Sequence, residues 1–215
     1  MSTLQACDAL AGRNHDQVSV IQMVECHRSS GWDNIMRKEY GKALRDAFDR
    51  QMKAKLPAFR PLKTESMYIF PGEQVYYRMP REPINCIIIL VPSRTDTDEF
   101  TIEIGWSKLG RFPECMRPCL EPPTSARAEF EQPEYICRLS HLWGREDVWW
   151  RVGSAAKLDL LNPEDQVKAL MARVRSVSPE EAKAAVRGPV DEAISQITAY
   201  AVPYLDEFAR SQGAV

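Results

Sequence analysis

Between Glu99 and Trp106 the chain alternates without a slip: Phe100, Ile102, Ile104 and Trp106 fall on one side of an extended backbone, Thr101, Glu103 and Gly105 on the other. A period of two is the signature of a strand that buries one face. Just upstream, Asn85 to Val91 is nearly all apolar and β-branched, as a central strand covered on both faces requires. Ser93 to Thr97 is turn chemistry between them, and strands joined by a short turn pair antiparallel. The same pattern predicts a hairpin of Met67–Phe70 and Gln74–Met79 around Pro71-Gly72-Glu73. A second is predicted from Glu134–Leu142 and Asp147–Val152 around Trp143-Gly144-Arg145-Glu146.

Helical spacing brackets these strands. Met36, Tyr40, Ala43, Leu44, Ala47, Phe48 and Met52 recur at three and four residues, behind a capping Asp33 or Asn34, and stop at Leu56 before Pro57. In the last third, Asn162-Pro163-Glu164-Asp165 and Ser178-Pro179-Glu180-Glu181 each place a cap before a first-turn proline and an acid three positions on. Gly188-Pro189 reads as the end of the second of these helices. A final helix carries Val190, Ile194, Ile197, Ala201, Tyr204 and Phe208 on one seam, with Pro203 expected to kink it or start a new turn. The expected class is α+β: an antiparallel sheet of about five or six strands packed by an N-terminal helix and C-terminal helices. Residues 1–33 read as a weakly patterned extension. Residues 34–215 read as a single domain with a Pro-rich excursion at 107–133 and a helical C-terminal third.

Four short motifs follow in order: Phe100-Thr-Ile-Glu-Ile-Gly-Trp106, Glu134-Tyr-Ile-Cys-Arg-Leu139, Asp147-Val-Trp-Trp150 and Ala201-Val-Pro-Tyr-Leu-Asp-Glu-Phe208. In that order they resemble a family of uncharacterised bacterial domains, over about residues 37 to 210. The resemblance implies an N-terminal helix, the strands just described, a closing helix, and a bacterial or phage source. It implies no activity and carries over no catalytic residue. The N-terminal segment, the Ser107–Pro133 excursion and the stretch from Leu158 to Gly188 depart from it.

Charge and cysteine content narrow the function classes. Lys and Arg total 28 against 30 Asp and Glu, a formal charge of −2, so bulk attraction to nucleic acid or an anionic membrane is not favoured. Lys53, Lys55, Arg60 and Lys63, with Phe59 and Tyr68 near them, read as a solvated helix end rather than a nucleic-acid patch. The segment Met1 to Ala11 has neither the basic nor the apolar run of a signal peptide, and the longest apolar run, Cys86 to Val91, is far short of the ~20 residues of a spanning helix. The expected location is cytoplasmic, off the membrane, with the six cysteines reduced.

The most tempting chemical set is Cys115, Cys119, Cys137 and His141, since three sulfurs and an imidazole suit zinc. If 134–142 is one strand, Cys137 and His141 lie roughly 13 Å apart at ~3.3 Å per residue, whereas ligands of one zinc lie within about 4 Å of each other. Core or loop cysteines are therefore preferred, and no cofactor is expected. Cys26-His27 is a nucleophile–base pair in sequence only. Glu103-Ile104-Gly105 lacks the acid-x-Lys step of restriction-type nucleases, and Gly105 to Gly110 lacks a phosphate-loop ending. Trp149 and Arg151 share one strand face, which Arg138, Tyr76 or Arg78 could join; Trp and Arg together favour binding hot spots. The preferred expectation is a non-enzymatic protein that binds another protein, an immunity-like or accessory factor. The alternatives are a hydrolase or nucleic-acid-processing enzyme with its site in the sheet near Arg138 and Trp149, and a zinc-stabilised module.

Overall fold

The computed structural model describes residues 36–63, 69–94, 98–114, 118–119, 122–123, 126–144, 147–152 and 175–213, with Glu164, Val167 and Met171. Cys115, Cys26, His27, His15 and the Asn162 capping signal up to Pro163 lie outside these residues, as does the extension 1–33.

Among the described residues helix α1 (Lys38–Lys55) precedes strands β1 (Arg60–Leu62), β2 (Gln74–Arg81), β3 (Ile84–Pro92), β4 (Glu99–Ser107), β5 (Glu134–Arg138) and β6 (Trp150–Arg151), and helices α2 (Pro179–Gln196) and α3 (Val202–Ser211) close the chain. The strands form one antiparallel sheet in the order β1-β2-β3-β4-β5, with β6 beside β4. The fold class is α+β, as the alternation predicted. No helix among the described residues is long and apolar enough to cross a membrane.

Register sorts the sheet into two faces. Tyr76, Ile88, Ile104 and Cys137 stand in one row, and Cys86, Trp106 and Tyr135 in the next. Both rows join the core made with Leu44, Phe48, Met52, Val186, Ile194, Leu205 and Phe208 of the helices. Trp106 is its centre, with its ring 4.1 Å from Phe208 and 4.7 Å from Tyr135, centroid to centroid, and its Nε1 donating to the Gln132 carbonyl at 3.3 Å. On the opposite face Val75, Ile87, Ile89, Val91 and Ile136 make a second apolar cluster, against which Leu62, Ile69, Tyr77 and Phe112 pack.

Several local expectations give way to longer-range contacts. Helix α1 begins at Lys38, and the expected caps Asp33 and Asn34 lie outside the described residues. Arg37 stands at the N-cap, its amide donating to Asp98 Oδ1 at 3.2 Å and its guanidinium pairing with the same carboxylate at 2.6 Å. Ile69 and Phe70 are not strand; β1 takes the place beside β2. Gly188-Pro189 does not end a helix. α2 runs through it because Val186, Val190, Ala193 and Ile194 keep burying one stripe, and that packing outweighs the roughly 3 kcal/mol cost of an interior proline. Ser178 does cap α2, accepting from the Glu181 amide at 3.1 Å. The second expected hairpin dissolves: β5 stops at Arg138, Leu139–Trp143 coils into a 3-10 turn, and β6 pairs with Glu99 and Phe100 of β4 rather than with β5.

Gly105 allows β5 to approach. A Cβ there would lie 1.9 Å from the Tyr135 carbonyl oxygen and 2.9 Å from Ile136 Cα, both backbone atoms that no rotamer change can move. Gly105→Ala is expected to cost about 3 kcal/mol, the upper range for overpacking, and to lower the thermal midpoint by roughly 6–12 °C for a chain of this size. A thermal melt that moved by a degree or less would show that β5 does not lie so close.

Candidate functional site

Because β5 is short, Arg138 is its last residue, and register sets it across from Glu103 of β4 on the face away from the helices. Its Nη1 donates to Glu103 Oε1 at 2.6 Å. After the 3-10 turn the chain returns with Asp147, whose Oδ1 lies 2.9 Å from Arg138 Nε. Hydrogen-bonded to Glu103 and ion-paired with the exposed Asp147, the guanidinium sits 5.2 Å from the centroid of the half-buried Trp149 ring, within cation–π range. Arg151 continues the same face, exposed, with its Nε donating to Glu99 at 2.5 Å.

A second charged pair stands nearby. Glu73 accepts from the Phe70 amide at 3.0 Å and from Arg94 at 2.8 Å, and the Arg94 guanidinium lies 3.3 Å over the Phe70 ring. Burial raises the Glu73 carboxyl above its ordinary range, against the pull of Arg94. Glu103 is pushed up further, to about 7, chiefly by burial; Arg138 opposes the shift, while Glu73 and Asp147 add repulsion. The arrangement therefore offers a fixed aromatic ledge backed by a carboxyl that exchanges its proton near neutrality.

Of the five residues singled out for binding, the structure brings together Arg138, Trp149 and Arg151. Tyr76 and Arg78 belong to the opposite face. Tyr76 is fully buried, its hydroxyl donating to Asp49 Oδ1 at 3.2 Å, and Arg78 pairs with Asp206 of α3 and stacks on Phe59. Trp150, next to Trp149, enters the core and stacks on Phe100. Asp147, Glu103, Glu73 and Arg94 were not singled out from sequence. For Glu103 a signal existed: a carboxylate in the middle of an interior strand must find a cation, because an unpaired buried charge is costly.

The zinc candidates are partly dispersed. Cys137 faces the helical core, where burial pushes its thiol up to about 12. Cys119 joins it through a short parallel bridge, its amide donating to the Ile136 carbonyl at 2.7 Å. His141 lies in the 3-10 turn, so the separation computed for a continuous strand does not apply to it. Among the described residues no three His, Cys, Asp or Glu side chains gather as a metal site. In the basic segment Lys53 pairs with Asp49 at 2.6 Å and Phe59 is buried, while Lys55, Arg60 and Lys63 are exposed.

No family model matches the chain, and neither the curated proteins nor the solved structures give a match.

Glu103 makes stability depend on pH. Its folded pKa lies above the unfolded value, so the protonated fold is favoured; the benefit is complete below about 4.5 and is lost as pH rises toward about 7. His141, whose pKa burial lowers, acts in the opposite sense over the acid part of this range, so a variant comparison is needed to isolate Glu103. In urea denaturation at pH 5 and pH 8, Glu103→Gln is expected to gain on the parent chain by up to about 3 kcal/mol at the higher pH. A gap that stays constant between the two would remove the raised carboxyl from the account.

Proposed function

We propose that the protein acts by binding another protein through the sheet face that carries Trp149, Arg138 and Arg151, as an accessory or immunity-like factor in a bacterial or phage system. The observation that supports this most is the clamp on Arg138. With Glu103 at 2.6 Å and Asp147 at 2.9 Å, the guanidinium has little rotamer freedom left, and Trp149 resting on it is ordered before any partner arrives. Preorganised aromatic and Arg side chains are favoured hot spots because their ordering cost is met in the free protein.

The charge pattern suits a protein better than a polyanion. Arg138 faces the carboxyl groups of Glu103 and Asp147, and the exposed Arg151 is paired with Glu99. What the face offers outward is an aromatic ring inside a rim of both signs, which calls for an apolar slot with a polar border on the partner.

A photo-crosslinking amino acid at position 149, introduced in the native host, is expected to capture a protein whose cross-links map to 147–151 on this chain. With that partner purified, Trp149→Ala should weaken binding by thirtyfold or more, about 2 kcal/mol, with the fold unchanged by circular dichroism. An affinity unaffected by Trp149→Ala, or no cross-linked partner, would overturn the reading.

A further inference from the structure

Beside the named strands, one pair of residues is in register on its own. Cys119, from the Pro-rich excursion, stands opposite Cys137 of β5 in an isolated parallel bridge, its amide donating to the Ile136 carbonyl at 2.7 Å. β4 holds the inner edge of β5, so Cys119 lies along the outer one. Both residues carry reduced thiols.

Partners in a bridge send their side chains to the same face of a sheet. Cys137 points into the helical core, and Cys119 packs against that same core. Neighbouring strands run about 4.7–4.9 Å apart, inside the roughly 4.4–6.8 Å that separates the Cα atoms of a disulfide. In-register side chains stand about as far apart as their backbones, ~1 Å more than the Cβ spacing of about 3.8 Å in a disulfide. Cys119 covers that gap by leaning inward, since a single bridge rather than a ladder holds it. Cys86 has no such neighbour among the described residues, because on β3 it faces Arg78 of β2 and Trp106 of β4.

The two sulfurs differ in access. Cys137 is fully buried, and burial pushes its thiol up to about 12, so it keeps its proton at neutral pH and is not the thiol that meets an oxidant first. Cys119 is half-buried, within reach of a small molecule. We infer that Cys119 and Cys137 form a redox modification site, a dithiol that a small peroxide converts into a disulfide stapling the excursion onto the outer edge of β5. Cys119, as thiolate, attacks one peroxide oxygen; the O–O bond breaks, hydroxide leaves and is protonated to water, and the sulfur becomes a sulfenic acid. Cys137 gives up its proton, helped by the Tyr135 hydroxyl that hydrogen-bonds to its sulfur, and attacks Cys119. The S–O bond breaks, and hydroxide takes up the proton as a second water. Two thiols lose two electrons and the peroxide gains them. Neither the aromatic ledge at Trp149 nor its partner is needed for this site.

Tryptic peptides 112–127 and 128–138 carry Cys119 and Cys137, and the first also carries Cys115, so full-length Cys115→Ser is studied beside the parent chain. After stoichiometric hydrogen peroxide, quenching with catalase and alkylation of the remaining thiols in denaturant, mass spectrometry is expected to find the two peptides joined in both proteins. Dithiothreitol should separate them. The link should be absent from Cys119→Ser, a change at a half-buried position that leaves the fold intact by circular dichroism, and Cys86 should be recovered alkylated. The oxidised protein is expected to melt at least about 4 °C above the reduced one, the low end for a disulfide in a chain of this size, and the increment should vanish in Cys119→Ser. The inference is overturned if Cys137 is recovered alkylated, if Cys119 is found joined to another cysteine, or if oxidation fails to raise the midpoint.

Discussion

β4 is paired along both edges, and the adjoining residues Gly105 and Trp106 govern what can lie on each of its faces. Trp106 fills the space between sheet and α3, touching Phe208, Tyr135 and Phe130; a buried indole of this kind is worth about 3–5 kcal/mol against truncation. Gly105 faces the other way, and only its missing side chain lets the Tyr135 carbonyl come near. One position anchors the helices and the next admits β5. The placement of Arg138 opposite Glu103 follows from both, since it is the register of β5 on β4 that aligns them.

The charged cluster on the second face is a poor candidate for pure stabilisation. Taking Glu103 and Arg138 out of water costs several kcal/mol per ion, and such pairs often do no better than apolar residues of similar volume. Burial is the main reason the Glu103 carboxyl rises despite a direct contact with a guanidinium, and Glu73 and Asp147 add to it. The cluster does supply orientation. Each carboxylate removes a rotamer choice from Arg138, and the outcome is a Trp149 side chain with a defined platform beneath it.

How far the sequence foretold this can be judged residue by residue. The alternation from Phe100 to Trp106 assigned the faces of β4 correctly, because a two-residue period tolerates no other arrangement once one face is buried. The apolar run in β3 was equally clear, and both its faces are covered. Periodicity could not show that β5 ends at Arg138, since Leu139 continues an apolar pattern equally compatible with a turn. Nor could it pair β6 with β4 or bring Asp98 to cap α1 from sixty-one residues away. Tyr76 and Arg78 were grouped with Trp149 on composition, but face membership across a sheet depends on the register of every intervening strand, and β2 aligns them with Ile88 and Cys86 on the helical side.

The 3-10 turn Leu139–Trp143 is where the two faces of the sheet meet. At its start Arg138 faces the charged cluster; in its middle His141 is buried; at its end the Trp143 ring lies 5.0 Å from that of Tyr200, tilted against it. Electrostatics crosses it as well, for Asp147 and Arg138 act on the His141 imidazole with opposite sign, Asp147 favouring and Arg138 opposing its protonation. Had β5 continued to Leu142, an extended backbone would have sent alternate residues to opposite faces and separated these groups. Coiling the five residues instead keeps them within two turns of backbone, close enough for the charges of Arg138 and Asp147 to act on the His141 imidazole.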